Sequence, residues 1–317
     1  MPAIPAGDKS GGRVAAPGLA RARFRLRSAA MTVIEPGAIR AALRFVPAHA
    51  RTVLAGAGLY GLVFTVQSLL TVYAAAGSSG AALGGVIVAL AAFLAFAAAL
   101  AGYGRAALGL PQAGPFGLAF DADGLRMVWV ALLVAVLCFT VLGTALLVLA
   151  FMLAALAMIG AERIGMSEPP EGFINIFALF GPGEWIVAGV LIAGFAVFSI
   201  WLFARLSLAV PATLEAGRIR ILQVWPLSAK RFVAITASAG ALLVPGLALV
   251  AGFNALAGAA FGVYPASAQS MVAATGEVTG SLALFAALSF VHGALKMILL
   301  TAPLTALFCA LYVRYRA

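Results

Sequence analysis

Residues 127–158 read MVWVALLVAVLCFTVLGTALLVLAFMLAALAM, a run that contains no charged side chain. At about 1.5 Å per residue, a helix of this length exceeds the roughly 30 Å hydrocarbon core of a bilayer. Only a helix or a closed barrel can satisfy its own backbone hydrogen bonds in lipid. The stretch therefore predicts a transmembrane helix, and it sets the frame for the rest of the chain.

Five further apolar runs lie at 52–76, 81–103, 185–208, 232–260 and 280–311. The whole chain is 64% hydrophobic and only 9% charged, whereas soluble domains carry about 25% charged residues. The sequence therefore predicts an all-α, polytopic membrane protein with six transmembrane helices. Pro245 and Pro303 lie inside the last two runs and predict kinks, because proline removes a helical hydrogen bond.

The distribution of charge predicts how the helices are threaded. The chain has 20 Lys and Arg against 10 Asp and Glu, a net charge of +10. With six spans, all of the basic residues fall on one side of the membrane except Arg163 and Lys296. Basic loops stay in the cytoplasm, so both termini are expected there. No soluble fold presents these residues to nucleic acid, and no nucleic-acid partner is predicted.

The region before the first span divides into two segments. Residues 1–30 are rich in Arg and Ala and lack the apolar core of a signal peptide. They are predicted to be a disordered basic segment, with Met31 as an alternative translation start. Residues 31–51 are predicted to form a cytoplasmic interfacial helix, and 52–317 the six-helix domain. In that helix Ile39, Leu43 and Phe45 are expected to face lipid, and Arg40, Arg44 and Arg51 to contact phosphates.

A second interfacial helix is predicted for residues 212–231, between the fourth and fifth spans. Its apolar side chains would enter the membrane while its basic side chains meet lipid head groups. The apolar set is Ile219, Ile221, Leu222 and Trp225. The basic set is Arg218, Arg220, Lys230 and Arg231.

The last span contains two ionisable side chains in SFVHGALKMILL, residues 289–300. His292 and Lys296 are one helical turn apart and share a face. Counted from Leu311 at about 1.5 Å per residue, His292 falls near the outer interface and Lys296 lies within snorkelling reach of it. Two interpretations stay open: snorkelling or packing, and a site for an anionic substrate or lipid head group. Asn254 in the fifth span is a further candidate for that site, against simple interhelical hydrogen bonding.

The remaining polar residues predict structure rather than chemistry. Cys138 and Cys309 lie in apolar runs without CxxC spacing, and the chain has only two histidines, so no metal site or cofactor is predicted. Asp121 and Asp123 lack the further ligands of a calcium loop and are expected to start a helix. No His or Cys accompanies the carboxylates of the 160–184 loop, and no catalytic constellation is recognised.

The segment RLSLAVPATLEAGRIRILQVWPLSAKRF, residues 205–232, resembles a family of six-helix bacterial membrane proteins. The family includes the membrane region of glycerophosphoryl diester phosphodiesterases and related uncharacterised alphaproteobacterial proteins. The matching positions are Arg205, Leu206, Ser207, Pro211, Glu215, Gly217, Trp225, Leu227, Lys230, Arg231 and Phe232, with Pro303, Tyr312 and Arg314 in the last helix. The resemblance implies the six-helix fold and a bacterial inner membrane. The catalytic domain of the phosphodiesterases has no counterpart in this sequence.

The expected function is therefore that of a membrane factor rather than an enzyme. It would interact with membrane phospholipids or belong to a larger assembly, through a membrane-protein partner or a second copy of itself. The alternative is a transporter for a small or anionic substrate, for which the kinks at Pro245 and Pro303 are the supporting feature.

Overall fold

The computed structural model describes residues 34–112, 114–165, 176–229 and 231–316. The described chain is helical, and its β-structure is limited to an isolated bridge between Val272 and Val278. The helices are α1 (Pro36–Ala48), α2 (Ala50–Ala75), α3 (Ser79–Leu108), α4 (Ala122–Arg163), α5 (Pro182–Leu206), α6 (Ala209–Ala216), α7 (Trp225–Ser228), α8 (Phe232–Phe261), α9 (Leu282–Lys296) and α10 (Ala302–Arg316). A π-helical turn, Met297–Thr301, joins α9 to α10.

The prediction of six spanning helices is confirmed. Six stretches are long and apolar enough to cross a membrane: α2, α3, α4, α5 with α6, α8, and α9 with α10. Helix α4 begins five residues before the predicted run because Asp121 caps it. One Asp121 carboxylate oxygen accepts hydrogen bonds from the backbone N–H groups of Asp123 and Gly124, which satisfies donors that the first helical turn leaves free.

The outer surface of the bundle is apolar along the spans. Phe139, Val190 and Leu256, for example, are 82%, 67% and 70% exposed. Soluble proteins rarely expose apolar patches of this extent, which are typical of helices that contact hydrocarbon. Together with the six helices, it indicates a multi-pass membrane protein.

The largest core cluster lies toward one end of the bundle, which we call the α1 end. Here α1 packs on α10 and also contacts α2 and α8, while α6 packs on α3, α4 and α10. Tyr103 of α3 is fully buried and its hydroxyl donates to the Val53 carbonyl of α2. The opposite end carries the loops 76–78, 176–181 and 262–281. The α1 end is therefore the more fully packed end of the described chain.

Charged side chains tie the short helices to this end. Glu35, just before α1, is buried; its N–H donates to Ser238 Oγ of α8 and its carboxylate pairs with Arg314 of α10 at 2.6 Å. Glu215 of α6 accepts a hydrogen bond from the Tyr312 hydroxyl at 2.8 Å and pairs with Arg316. The family pattern in the sequence includes Glu215 but gives it no partner, and it does not include Glu35.

Two predictions about the interfacial segments are wrong. Phe45 does not face lipid: it is 4% exposed and packs in the main core, its ring 6.4 Å from that of Tyr103. The segment 212–231 is not one helix either. Helix α6 ends just before Gly217, which has a left-handed φ of 60° that favours glycine. The chain then continues as a turn and the short α7. Protein contacts thus take the place that the amphipathic pattern assigned to lipid at Phe45, whereas Ile219 and Leu222 of the second segment stay 41% and 64% exposed.

Candidate functional site

The candidate site in the span is built where α2 and α9 cross at two glycines. A side chain on Gly61 would meet the Phe290 carbonyl oxygen at 2.9 Å, and one on Gly293 would meet the Gly61 Cα at 3.1 Å. Small residues let membrane helices approach this closely. The crossing brings the face of α9 that carries His292 and Lys296 directly against α2.

His292 lies inside this crossing between two aromatic rings. It is 2% exposed, and its ring centroid lies 5.8 Å from that of Phe64 in α2 and 6.3 Å from that of Phe253 in α8. Neither ring nitrogen has a hydrogen-bond partner among the described residues, and the buried Ser289 hydroxyl one turn earlier lacks one too. Buried polar atoms usually have a protein or water partner. The face of α9 from 289 to 296 therefore offers three polar atoms for a small ligand or water.

Lys296 extends this face toward the α1 end and points at α2. Its Nζ lies 4.9 Å from the centroid of the Phe64 ring, a cation–π distance, and the side chain is half-buried. No carboxylate pairs with it in the parts of the chain described above. The π-helical turn starts at the next residue, and such turns are frequent at functional sites. Lys296 is thus a cation held against a helix crossing, and none of the carboxylates in the described ranges supplies its counter-charge.

The contacts with α2 give a second measure of where His292 and Lys296 lie along the bundle. Phe64 is the neighbour of both side chains, and it lies about 20 Å from the start of α2 and about 17 Å from its end at 1.5 Å per residue. His292 and Lys296 therefore lie at the middle of α2. The count from Leu311 predicts His292 near the outer interface, and its depth in a bilayer stays a prediction.

Asn254 does not join this pair. Its side-chain oxygen accepts a hydrogen bond from the Ala266 N–H at 3.0 Å, so it holds the loop after α8 at the opposite end of the bundle. Its chain neighbour Phe253 is the residue that contacts His292. The structure thus separates the three residues that were predicted as one possible substrate or lipid site.

The basic residues predicted to contact lipid head groups fall into two groups. Arg40, Arg44 and Arg218 are exposed at the α1 end and have no hydrogen bond or ion pair to any described residue. Arg220 is half-buried and its backbone N–H donates to Thr213 Oγ1, and the Arg231 guanidinium lies 4.4 Å from the Tyr315 ring centroid. Lys230 lies outside the described residues. The first group remains free to bind phosphate, while the second contributes to packing.

The carboxylates with described side chains are mostly neutralised by nearby arginines. Arg105 pairs with Asp121 at 2.7 Å and Asp123 at 3.2 Å, and Arg163 pairs with Glu184 at 3.5 Å. Partial burial would raise the pKa of Asp121, but the hydrogen bond and charge of Arg105 and the two backbone N–H donors outweigh it and hold this pKa below its ordinary value. Within the described ranges, no cluster of three His, Cys, Asp or Glu could hold a metal ion.

Comparisons with protein-family models, curated proteins and solved structures find no match to this chain. The resemblance to the six-helix membrane region of the phosphodiesterases therefore stays a prediction.

Proposed function

We propose that the protein is a non-catalytic multi-pass factor of a bacterial inner membrane that acts through anionic phospholipids at the α1 end. Exposed Arg40, Arg44 and Arg218 carry the proposal, because the described chain supplies no partner for them. Leu43 and Leu222 lie beside them in the sequence and are 58% and 64% exposed. Basic groups beside exposed apolar ones are typical of a protein surface at the head-group layer.

The strength of the attraction between the α1 end and anionic lipid follows from the number of exposed arginines. A basic residue close to an anionic leaflet contributes about 1 kcal/mol of attraction. Three free arginines would enrich anionic lipid around the α1 end and would also favour a cytoplasmic orientation of that end. A lipid-bound scaffold of this kind suits a protein that serves a larger membrane assembly, either with a partner or with a second copy of the chain.

The test is the lipid that stays bound after extraction. The variant Arg40→Gln/Arg218→Gln is expected to retain about one-third as much anionic phospholipid per protein as the wild type, or less, by mass spectrometry. The matched variant Arg40→Lys/Arg218→Lys keeps the charge and should retain nearly all of it. Equal retention by the Gln and Lys variants would refute head-group binding through these residues.

Orientation is tested separately with introduced cysteines. Gln223→Cys lies at the α1 end and Ser79→Cys at the opposite end, and both positions are exposed. Cys138 and Cys309 are buried and should give little background labelling. In intact cells a membrane-impermeant maleimide should label only Ser79→Cys. The reverse pattern would overturn the proposed threading.

The transport alternative is favoured by a different observation: the buried His292 and Ser289 side chains, which have no hydrogen-bond partner among the described residues, share a face of α9 with Lys296 beside a π-helical turn. Lys296→Met should fold and insert normally, since it would leave no described carboxylate unpaired. In proteoliposomes, transport of a small anion by the wild type and its loss in this variant would favour the alternative. Absence of flux in both would leave the lipid-binding proposal preferred.

A further inference from the structure

Two adjoining cavities open at the α1 end, with volumes of about 560 and 220 Å³. The larger lies between the start of α2 and the segment that joins α3 to α4. The smaller lies between α1, α3 and α10. His49 and Ala106 line both cavities, so the two adjoin at these residues, and together they are called the recess.

The larger cavity offers positive charge and hydrogen-bond donors. His49, Arg51, Thr52 and Gln112 line it. Arg51 is held over the Phe116 ring at 5.2 Å from its centroid, and Thr52, which is 8% exposed, donates to the Gln112 side-chain oxygen at 3.5 Å. That contact leaves the Gln112 amide N–H groups free to donate. A site of this composition suits a phosphate or another oxyanion.

The smaller cavity is an apolar groove with a cation on its wall. Ala106 and Ala107 of α3 and Ala306 and Ala310 of α10 line it, and the rest of the lining is Ala41, Arg44, Phe45 and Ala48 of α1 with His49. Alanines leave room between two helices that larger side chains would fill. Neither cavity has an Asp or Glu in its lining, so nothing there would repel an anionic ligand.

We propose that this recess binds one anionic phospholipid. The phosphate binds Arg51 and His49 in the larger cavity, and an acyl chain lies in the alanine groove beside Arg44. Each methylene group buried in such a groove is worth about 0.8 kcal/mol, which makes a lipid a better ligand than free phosphate. The inference rests on the proposed function, because it assigns a specific site to the anionic lipid that the exposed arginines attract.

The experiment uses the full chain in zwitterionic detergent micelles and measures binding by native mass spectrometry. The probes are dioctanoyl phosphatidylglycerol, dioctanoyl phosphatidylcholine and inorganic phosphate. We expect one phosphatidylglycerol to bind with an affinity about ten times that of phosphatidylcholine, a difference of about 1.4 kcal/mol. Inorganic phosphate should compete only at far higher concentration. Equal competition by phosphate would overturn the lipid assignment.

Three variants locate the site. Arg51→Gln removes the cation of the larger cavity, and Ala310→Leu fills the groove. Each should weaken phosphatidylglycerol binding about five- to tenfold. Arg163→Gln removes a charge at the opposite end of the bundle, outside both cavities, and it should change this affinity less than twofold. Thermal unfolding of each variant shows whether it is folded, and Arg51→Lys should recover most of the binding if Arg51→Gln loses it.

The outcomes separate this site from the broader function. If Arg51→Gln and Ala310→Leu bind lipid as Arg163→Gln does, the recess is not the site, although the exposed arginines can still enrich anionic lipid. If the wild type shows no preference for phosphatidylglycerol over phosphatidylcholine, both the recess and the proposed function fail.

Discussion

Replacing Arg314 by methionine tests how α1 is attached to the bundle. Arg314 pairs with the carboxylate of Glu35 at 2.6 Å, and the Glu35 side chain is 5% exposed while that of Arg314 is 53% exposed. The Glu35 N–H is also bonded to Ser238, which is fully buried. The substitution keeps much of the arginine's apolar stem and removes the charge, so it leaves a buried carboxylate without its partner.

The loss of unfolding free energy in Arg314→Met depends on how far water reaches the Arg314 and Glu35 side chains. Removing one partner of a fully buried ion pair costs about 3–5 kcal/mol, because the remaining charge is desolvated and uncompensated. Water reaches the exposed side of Arg314, so we place the cost below this range, at about 2–3 kcal/mol. The pair between Arg316 and Glu215 is a matched comparison, since both side chains are partly exposed, 41% and 34%. Arg316→Met should cost about 1 kcal/mol or less.

The assay is reversible unfolding in mixed micelles with rising SDS content. The Glu35→Gln variant completes a double-mutant cycle with Arg314→Met, and the coupling energy should be about 1–2 kcal/mol because the two residues contact each other. The reasoning is refuted if Arg314→Met costs no more than Arg316→Met. A coupling below about 0.5 kcal/mol would equally contradict a direct ion pair.

Three further predictions concern single contacts. Tyr103→Phe should lower the unfolding free energy by about 1 kcal/mol in the same assay, because the buried hydroxyl donates to a backbone carbonyl of α2. Gly293→Leu should cost about 1–3 kcal/mol by forcing α9 away from Gly61, whereas Gly143→Leu, with open space around it, should be nearly neutral; equal costs would contradict a close helix crossing. Asp121→Ala should cost about 1 kcal/mol at pH 7 through loss of the α4 cap. The pKa of this carboxyl group is lowered in the folded state, so its contribution to stability is complete above its ordinary pKa and is lost as the pH falls through the folded-state pKa. The unfolding free energies of wild type and Asp121→Ala should therefore converge in acid. A constant difference between them across the pH range would disprove the charge contribution.

The sequence predicts the six spans well because each is a local property. A run such as 127–158 has one stable arrangement in lipid, whatever its neighbours are. The helix ends depend on nearby side chains too, and the cap at Asp121 was recognised from its acidic character. Pro303 was expected to kink the last span, and the structure places a π-helical turn at Met297–Thr301 just before it.

The contacts between helices could not be predicted in the same way. An amphipathic pattern shows that one face of 36–51 is apolar, but it does not distinguish lipid from protein as the neighbour, and Phe45 is buried in the core for this reason. Likewise, His292 and Asn254 are both polar residues within spans, yet one lies in the α2–α9 crossing and the other binds a loop N–H. A depth counted along one helix depends on where that helix is taken to leave the bilayer, so the depth of His292 stays a prediction.

By itself the sequence determined that this chain has six apolar helices, and it predicts that the basic residues lie at one end of them. Both follow because hydrophobic length and charge can be read directly along the chain. Only the tertiary structure decided which polar groups meet. It turned Lys296 toward Phe64, paired Glu35 with Arg314, and left a recess lined by Arg44, His49 and Arg51. The physical reason is that such contacts join residues far apart in the chain, and their geometry depends on how closely glycine and alanine faces let the helices pack.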